Sequence, residues 1–381
     1  MQQLDRSGSS ALPNASDLPF EPIEIFDRMA KHRLVGHRLA EQREAAEAFR
    51  AWFRGTGMPA SLSTHPLVTV PYPTKFALWR AAATPAPYVF LTNRLTVVRW
   101  HDERGVLRTL LFDPSDPELD AATPFYVKTQ AATPRWLIDR LVTRHTTVEA
   151  VLAELAIAPN EVDYLSFDHL HTQDVRHWLG TNAPAADISP NEPVPAFFPR
   201  AKLLVHRDEW DALSALHPLQ IEWYNPESFR DLPQDRVVAF DGDLLLGPGV
   251  AFIRTPGHTS GNHSLVLNTT SGIWAMSENA IATECLTPEH SKIPGLKRWA
   301  AQYRQELIIN SNTPEAAGDQ YNSMVLEKSI VDPIPNERFL QFMPSSELTA
   351  HPFAPGAKPT YAHATIPHAA QAVARTRFAA N

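Results

Sequence analysis

Apolar residues recur along this chain with two different periods, and the change of period separates an N-terminal helical region from a longer region of strands and helices. Over residues 25–55 apolar positions return at roughly helical spacing between charged ones, which predicts a helix that ends at Gly55 and Gly57. From Leu67 onward, short segments rich in Val, Leu, Thr and aromatic residues predict strands. Residues 1–20, rich in Ser, Pro and Asp, are expected to form a loosely held arm.

The first strands lead into a helix and then into a further buried strand. The segments LVTVPY, YVFLTNRLTVVRWHD and VLRTLLFDPSD predict strands, and residues 103–105 predict the hairpin turn between the last two. A proline-bounded linker over residues 122–134 precedes a predicted helix at 147–155, which Thr146 or Thr147 can cap, and a strand at 163–167. Strand, helix and strand in this order favour a layered α/β architecture over a β-sandwich.

A second round of strands and helices follows a proline-rich loop. Residues 182–200 hold five prolines, and this loop is interpreted either as a flap over a site or as packing alone. The later pattern predicts strands at 201–206, 237–240, 250–254, 264–267 and 307–310, and helices at 208–216, 296–305 and 314–331. From residue 332 the tail holds seven prolines and is expected to wrap the surface or to contact a second subunit.

The composition is that of an ordinary soluble protein. Of the 381 residues, 20% are charged and 44% are apolar, and the net charge of -8 argues against a nucleic acid or a membrane surface as partner. The N-terminus lacks a basic stretch followed by an apolar core, and no run of about 18 apolar residues could span a bilayer. The expectation is a cytoplasmic protein that acts on a small molecule, with a homodimer as one form that it could take.

The numbers of cysteine and histidine residues limit which ligand atoms could bind a metal ion. Cys285 is the only cysteine, so the chain can form neither an internal disulfide nor a thiolate metal cluster. Histidine is frequent, with 16 residues. A metal ion in this protein would therefore be bound by nitrogen and oxygen, a ligand set that suits Zn, Mn, Fe or Co.

The residues best suited to hold a metal lie in the segment 164–180, which reads YLSFDHLHTQDVRHWLG. His169 and His171 follow directly after the apolar run of the predicted strand. Side chains two positions apart on an extended segment point to the same side, so both imidazoles can face one ion. Asp168, Asp174 and His177 lie close by in the sequence. This pattern predicts a metal site at the exit of a buried strand.

Three segments resemble the metallo-β-lactamase superfamily: EVDYLSFDHLH, DGDLLLGPGVAFIRTPGHTSGNHSLVL and SGIWAMSENA. They are similar to the family's strand ending in HxHxDH, its TPGHTxGxxS loop and its strand ending in Gly-Asp. The resemblance implies an α/β (α+β) fold, a four-layer αββα sandwich, over residues 65–331, most like the lactonase and related hydrolase branch. Residues 1–64 then form an added N-terminal arm and helix, and residues 332–381 an extended C-terminal tail.

The resemblance also implies a first metal site. His169, His171 and His258 match the family's three histidines, and they would hold a divalent ion, with zinc the leading expectation. The metal would activate a water molecule as nucleophile. Asp174 is expected to orient that water or to act as the base, because a carboxylate within hydrogen-bond reach suits this role.

The sequence departs from the family's pattern at the second metal site. Gln173 stands where the family has an aspartate and Asp174 where it has a histidine, while Glu278 takes the place of the bridging aspartate. Ser311-Asn312 follows the strand after which the family has its last histidine. The number of bound ions, one or two, therefore remains open. A carboxylate-rich second site would favour Mn or Fe. The candidate ligands of that second site are Asp174, Glu278, His177, His263 and His290.

The leading functional hypothesis is a metal-dependent hydrolase that acts on a small ester, lactone or amide. Trp178, Phe197 and Phe198 are expected to line an apolar substrate pocket. One alternative is a mononuclear or dinuclear iron oxidoreductase on the same fold, because two histidines with a carboxylate resemble a non-haem iron site. The other is a degenerate member that binds a ligand without turnover. Metal analysis of the purified protein distinguishes the three.

Overall fold

The computed structural model describes residues 12–13, 18–32, 34–77, 84–310, 314–334 and 339–368. Within these ranges no helix is both long and apolar enough to cross a membrane. The first strands, in chain order, are β1 (Glu21–Ile23), β2 (Ser61–Pro73), β3 (Tyr88–His101), β4 (Leu107–Phe112), β5 (Thr143–Arg144), β6 (Tyr164–Ser166), β7 (Pro184–Ala185) and β8 (Ser189–Pro193). The later strands are β9 (Lys202–His206), β10 (Val237–Phe240), β11 (Asp243–Gly247), β12 (Val250–Arg254), β13 (His263–Thr269), β14 (Gly272–Ser277), β15 (Phe342–Pro344) and β16 (Ser346–Thr349).

The helices lie between these strands and before them. The first are α1 (Asp27–Ala30), α2 (Val35–Gly55), α3 (Thr74–Ala77), α4 (Pro117–Asp120), α5 (Pro124–Ala131) and α6 (Arg135–Leu141). The others are α7 (Val148–Glu154), α8 (Arg176–Leu179), α9 (Arg207–Ala212), α10 (Thr283–Leu286), α11 (Leu296–Tyr303) and α12 (Ala317–Ile330). Short 3₁₀ turns cover Pro159–Glu161, Ile221–Trp223, Gln234–Arg236, Pro288–His290 and Pro314–Ala316.

Two large sheets organise the chain. The first has the strand order β10-β9-β6-β4-β3-β2-β5, and β16 pairs with β3 beside this path. Its strands β4, β6, β9 and β10 run parallel, so the carboxyl ends of β4, β6 and β9 open on the same edge. The second sheet has the order β1-β11-β12-β13-β14-β15 and is antiparallel except for the pair β14–β15.

The sheets pack face to face, and helices cover both outer faces. Along β12, Val250 and Phe252 face the apolar layer between the sheets, whereas Ala251 and Ile253 face a separate layer against helix α2. This alternation is the two-residue period of a strand buried on both sides. Helices α7, α8 and α9 cover the first sheet in the same way. The predicted αββα arrangement is therefore confirmed.

The helix predicted before the core is part of one outer layer. Phe49 and Phe53 of α2 are fully buried and belong to the same apolar cluster as Met324 and Val325 of α12. The helix predicted at residues 147–155 is also found, and Thr147 caps α7 by accepting a hydrogen bond from the backbone N of Ala150 at 3.2 Å. The helix expected as an addition thus supplies part of the main fold, whereas residues 1–11 and 14–17 of the predicted arm lie outside the described residues.

The C-terminal region was predicted to wrap the surface or to contact a second subunit, but part of its described stretch enters the two sheets instead. Its strand β15 runs parallel to β14 in the second sheet, and β16 runs antiparallel to β3 in the first. Ile366 is fully buried in the layer between the sheets, and His363 is 4% exposed. The high proline content concealed two short strands, because proline disfavours sheet pairing on average but does not prevent it at sheet ends.

One smaller prediction is also wrong. The strand expected at residues 307–310 does not form; Leu307 is buried, and the backbone N of Ile308 donates to the carbonyl of Cys285. The loop at 182–200, interpreted either as a flap or as packing alone, forms the small hairpin β7–β8 and contributes no residue to the cavity described below, which fits packing. Phe198 at its end is fully buried, which ties this segment to the helical side of the first sheet.

Candidate metal centre

Two loops carry three histidines to the edge where the parallel strands of the first sheet end. Strand β6 ends at Ser166, and His169 and His171 follow within a turn in which Thr172 has a positive φ of 63°. The backbone N of Thr172 donates to the carbonyl of Trp223 at 2.7 Å. His258 comes from the loop between β12 and β13 in the second sheet. Both sheets therefore contribute to one site.

The loop that carries His258 is held tightly against helix α12. Gly257 has a φ of 151°, and a Cβ atom built on it would lie 2.2 Å from the Cα atom of Gln320. Any side chain at this position would collide with helix α12. The glycine of the predicted Thr-Pro-Gly turn is therefore required by both backbone conformation and space.

The three imidazoles converge. The ring centroid of His169 lies 4.8 Å from that of His171 and 4.4 Å from that of His258, and the His169 ring is nearly perpendicular to both. His171 Nδ1 is 3.1 Å from His258 Nε2. One nitrogen from each of the three rings lies within 4.8 Å of the other two. All three side chains are buried, with exposures of 4 to 6%.

Hydrogen bonds hold two of the three rings so that one nitrogen of each faces the centre of the site. Gln220 Nε2 donates to Glu315 at 2.8 Å, so its Oε1 is the atom that faces His171 Nε2 at 2.7 Å and accepts a hydrogen bond from it. The Nδ1 atom of His171 therefore has its lone pair toward His258. His169 Nδ1 donates to Asp168 Oδ1 at 2.6 Å, which leaves Nε2 of His169 for the centre of the site.

These positions fit a metal ion. Two nitrogens bound to one tetrahedral ion at about 2.0 Å lie roughly 3.3 Å apart, close to the separation of His171 and His258. A ligand histidine whose other nitrogen donates to a carboxylate is the usual arrangement around zinc, and His169 with Asp168 reproduces it. Burial lowers the pKa of His171 and of His258 well below the ordinary value, so both rings are neutral, as metal ligands must be.

A buried carboxylate on α9 holds the two histidine loops together. Glu209 accepts hydrogen bonds from the backbone N of Leu170, between the two strand-end histidines, and from the Tyr224 hydroxyl, both at 2.9 Å. Its other oxygen accepts from Thr259, the neighbour of His258, at 2.6 Å. Glu209 is 1% exposed. Its side chain therefore fixes the distance between the loops that carry the ligands.

A second buried carboxylate supports His258 from the side of α12. Glu327 accepts hydrogen bonds from Ser264, Ser277 and Asn279 at 2.7 to 2.9 Å. Asn279 in turn accepts from the backbone N of His258 at 3.1 Å. The loop position is thus set by hydrogen bonds at both of its ends.

Glu278 lies at the rim of the site. Its Oε2 atom is 4.0 Å from His169 Nε2, and burial raises the pKa of its carboxyl to about 7. Asp168, His169 and Glu278 form a second group whose ligand atoms lie within 4.8 Å of one another. Glu278 is therefore the one predicted second-site residue that the structure brings to the histidines.

Asp174 lies elsewhere. Both of its oxygens accept from the Arg176 guanidinium, with the shortest contact at 2.6 Å, and Ser228 donates to it as well. Arg176 also binds Asp187 at 2.7 Å. The expectation that Asp174 orients the water or binds a metal is not supported, because its acceptor positions are occupied by a buried ion pair.

The three other histidines proposed as second-site ligands are not in the cluster. His177 Nδ1 is paired with Asp116 at 3.0 Å, and its ring stacks on Trp178. His263 lies between the sheets, where its Nε2 is 3.1 Å from Ser166 Oγ and burial lowers its pKa to about 3. His290, in a 3₁₀ turn, has its ring edge-on to Phe339.

Within the described residues, the second metal site predicted from these side chains is therefore not assembled. Ser311 and Asn312, where the family's last histidine is missing, lie outside the described residues.

The predicted apolar pocket is also placed differently. Trp178 and Phe198 are 1% and 0% exposed and, with Phe197, pack on the outer face of the first sheet. None of the three lines the cavity at the histidines. These three side chains pack among the helices that cover the first sheet, although Trp178 lies only a few residues after the histidine motif.

The cavity that does open onto the histidines has a volume of about 820 Å³, within the range of about 300 to 1,000 Å³ typical of small-molecule sites. Its walls come from β2, β3 and the region of α4 to α6, which the sequence presented as strands and a linker. Side chains of three chemical kinds line it near the histidines: the aromatic Tyr72, Tyr126 and Trp223, the acidic Asp113 and Asp120, and the hydroxyl-bearing Ser345 and Ser346.

Several residues near the histidines were not predicted from the sequence. Gln220, Ser345 and Ser346 carry no motif, and they reach the site only through long-range pairing of the chain. Asp113 had a signal, since it ends a buried strand in an aspartate-bearing turn, and its φ of 57° marks a constrained position. Burial and the nearby Asp168 charge raise the pKa of Asp113 well above its ordinary value.

Comparison with known proteins gives matches to solved structures only. No family model matches the chain, and no curated protein matches it. One similar structure is a quorum-quenching N-acyl homoserine lactone lactonase, with 20% identity, 65% of this chain and 89% of that chain covered, and a TM-score of 0.41. A second is a probable metal-dependent hydrolase from Staphylococcus aureus, with 12% identity, coverage of 70% and 83%, and a TM-score of 0.47.

A third similar structure is the dizinc quorum-quenching lactonase AidC with a bound product, at 13% identity, coverage of 71% and 84%, and a TM-score of 0.40. A fourth is the hydrolase AbOPH of the beta lactamase superfamily, at 15% identity, coverage of 69% and 81%, and a TM-score of 0.37. At these identities and TM-scores, the interpretation of the site rests on the sheets and the histidines of this chain.

Proposed function

We propose that this chain is a metal-dependent hydrolase of the metallo-β-lactamase superfamily, in which His169, His171 and His258 hold one divalent metal ion. The observation that carries the proposal is the convergence of three buried ring nitrogens, two of them 3.1 Å apart, with hydrogen bonds to Asp168 and Gln220 that hold the rings of His169 and His171. Zinc is the expected metal, because three neutral imidazoles with an open position are its usual catalytic ligand set.

A metal ion bound there would polarise a substrate carbonyl and lower the pKa of a water molecule. The protein's own groups have separate tasks. Asp168 keeps His169 in the tautomer that presents Nε2, and Gln220 does the same for Nδ1 of His171. Glu278, whose Oε2 lies 4.0 Å from His169 Nε2, is the carboxylate placed at the site to accept and return a proton. It takes the role that the sequence suggested for Asp174.

The cavity supports a small organic substrate. Apolar side chains of β2, β3 and α6, among them Val68, Leu91 and Ile138, line the walls away from the histidines. The polar end holds the histidines and the acids. A small ester, lactone or amide with an apolar portion matches this division, because the reacting carbonyl would lie at the polar end.

One metal ion is favoured over two. The histidines and Asp174 that were expected to complete a second site make other contacts, as described above. An iron oxidoreductase remains the alternative of a different class, with Glu278 as the carboxylate beside the histidines. A protein that binds a ligand without turnover is the third.

The test combines metal analysis with an activity screen. Protein purified without added metal is analysed by inductively coupled plasma mass spectrometry and assayed against esters, lactones and amides. We expect about one equivalent of zinc and hydrolysis of at least one class. His169→Ala, His171→Ala and His258→Ala should each lose metal and activity, whereas His290→Ala, remote from the site, should keep both. Full metal content in the first three variants contradicts the assignment, and one iron without hydrolysis favours the oxidoreductase.

A further inference from the structure

Three buried polar side chains meet beside strand β16, and none of them lines the cavity. Arg94 Nη2 donates to Glu347 Oε2 at 2.6 Å, and His363 Nδ1 donates to Glu347 Oε1 at 2.8 Å. The backbone carbonyl of His363 accepts from Arg94 Nη2 at 2.8 Å, and the backbone N of His363 donates to Glu347 Oε1 at 2.9 Å. The Arg94 side chain is 9% exposed, and the other two are each 2% exposed. Strand β3, strand β16 and the tail after it are therefore joined at one point.

The two residues that precede the β16 member of this group lie at the metal centre. Ser345 Oγ donates to Asp168 Oδ2 at 2.6 Å, and the other oxygen of Asp168 accepts from His169. The backbone carbonyl of Ser345 accepts from the backbone N of Arg94 at 3.0 Å. Ser346 follows and lines the cavity. The buried group is thus two residues away from a hydroxyl that supports a proposed metal ligand.

Alternation along β16 places the buried group and the cavity on opposite faces of the strand. Ser346 pairs with Asn93 of β3, and both residues line the cavity. Glu347 pairs with Thr92 and points to the other face, on which Arg94 also lies. A shift of one residue in the pairing would exchange the two faces, so it would turn Glu347 toward the cavity and Ser346 away from it.

Strand β16 has few other means of fixing its register, because it contains only four residues, Ser346–Thr349. A buried ion pair contributes little net stability, since the cost of removing the charges from water offsets their attraction. Arg94 Nε and His363 Nε2 have no hydrogen-bond partner among the described residues, which adds to that cost. What the group does supply is a defined register, because Glu347 reaches both of its partners in one pairing only.

Resting on the hydrolase function proposed above, we infer that Arg94, Glu347 and His363 form a positioning cluster that sets the register of β16 for the metal centre. These three residues are called the register cluster below. By fixing the register, they hold the Ser345 hydroxyl on Asp168. Their effect on zinc affinity and on turnover passes through that hydrogen bond, because none of the three lines the cavity.

The first experiment separates positioning from stability. The variant Arg94→Met/Glu347→Leu/His363→Phe replaces the register cluster with apolar side chains, an exchange that leaves the stability of proteins with buried ion pairs roughly unchanged or higher. We expect a melting temperature close to that of the wild type and a zinc affinity about 10-fold lower, measured by competition with a chromophoric chelator. A folded variant with the zinc affinity of the wild type overturns the proposal.

A second comparison tests whether the effect passes through Ser345. Adding the three apolar substitutions to Ser345→Ala should lower zinc affinity no further, because the hydroxyl that the cluster positions is already absent. Losses that add up contradict the proposed route. If the apolar variant does not fold, His363→Gln replaces it in both experiments, because the backbone contacts of residue 363 remain; the expected loss of zinc affinity is then roughly 3-fold.

A matched control lies on the same tail. Thr360 Oγ1 accepts from the backbone N of Lys292 at 2.7 Å, a contact outside the register cluster. Thr360→Ala should therefore bind zinc as the wild type does. A loss as large as that of the apolar variant would show that attachment of the tail in general affects the metal centre, and it would overturn the specific role of the cluster.

Turnover distinguishes failure of the register cluster from failure of the hydrolase proposal. With saturating zinc, we expect the apolar variant to hydrolyse the best substrate of the wild type with a kcat about 10-fold lower and a KM little changed, because the cavity walls are intact. Lower zinc affinity in the variant, with no ester, lactone or amide hydrolysed by the wild type, supports the cluster and contradicts the hydrolase function. Hydrolysis by the wild type with unchanged zinc affinity in the variant contradicts the cluster alone.

Discussion

Ser345 Oγ donates a hydrogen bond to Asp168 Oδ2 over 2.6 Å, across a sequence separation of 177 residues. The other oxygen of the same carboxylate accepts from His169 Nδ1, also at 2.6 Å. The C-terminal strands are in this way connected to the ring that presents its Nε2 to the metal centre. The orientation of His169 depends on residues at both ends of this connection.

The first prediction concerns this connection. Asp168→Asn should weaken zinc binding by about 10- to 100-fold, because an amide cannot accept from both His169 and Ser345. Ser345→Ala should have a smaller effect in the same direction. Competition with a chromophoric chelator measures the affinity. Ser329→Ala, which removes a hydroxyl that bonds only within α12, is the control and should bind zinc as the wild type does. Unchanged affinity in Asp168→Asn would show that this carboxylate does not orient the ligand.

The second prediction concerns the glycine before His258. Gly257→Ala should lower the free energy of unfolding by at least about 2 kcal/mol, since its φ of 151° and the approach of Gln320 leave no room for a Cβ atom. Zinc binding should fall as well, because the loop that carries His258 must move. Urea denaturation and metal titration measure both effects.

A glycine with open surroundings is the comparison for Gly257. Gly36 lies in helix α2 with nothing within 4 Å of an added Cβ atom. Gly36→Ala should therefore raise stability by roughly 0.5 to 1 kcal/mol, because alanine is the better helix former. Equal stability of the two variants would contradict the steric argument at Gly257.

The third prediction concerns Asp174. Asp174→Asn should destabilise the protein by about 3 kcal/mol, because it removes one partner of the buried Arg176, which is 2% exposed. Its metal content should remain that of the wild type. Asp187→Asn removes the outer partner, 43% exposed, and should cost about 1 kcal/mol or less. Thermal denaturation and metal analysis are the measurements. Loss of metal without loss of stability would instead restore Asp174 as a ligand.

The fourth prediction concerns pH. Burial, aided by the charge of His206, lowers the pKa of His263 from 6.5 to about 3, so the folded protein keeps this ring neutral where the unfolded chain protonates it. The ring therefore contributes its full stability above pH 6.5, and the contribution falls as the pH drops below that value. Wild type should lose about 2 kcal/mol relative to His263→Gln between pH 6.5 and pH 5.

This comparison cancels the titration of all other groups, which both proteins share. Urea denaturation at a series of pH values provides the free energies. His101→Gln, at an exposed position, should show no such pH-dependent difference from wild type. A constant difference between wild type and His263→Gln across this range would contradict a protected neutral ring.

Local sequence patterns predicted much of the fold. The strands at 237–240 and 250–254 appear with the predicted bounds, and helix α7 begins after the predicted threonine cap. These elements follow from periodicity and capping, which act over a few residues. Strands β15 and β16 were missed because they are short, lie in a proline-rich region and are stabilised by pairing with partners far away in the chain.

The candidate site shows the same limit. The three histidines could be identified from the HxH pair and the Thr-Pro-Gly-His loop, because each of these motifs lies within a few consecutive residues. Asp174 was misjudged because nothing in the sequence reveals that Arg176, two residues away, folds back on it rather than pointing outward. Tyr72 on β2 could not be assigned to the cavity either, because the direction of a side chain from a strand depends on which face the helices cover, and Tyr126 lies on helix α5, where the sequence predicted a linker.

The position of Ser345 and Ser346 has a consequence for biosynthesis. A nascent chain that has emerged up to helix α12 already contains the three histidines and both helical layers, yet it lacks strands β15 and β16. Asp168 has no contact with Ser345 at that stage, and the side of β3 that β16 covers is unpaired. The mature surroundings of Asp168 therefore form only after strands β15 and β16 have been synthesised and have paired with β14 and β3.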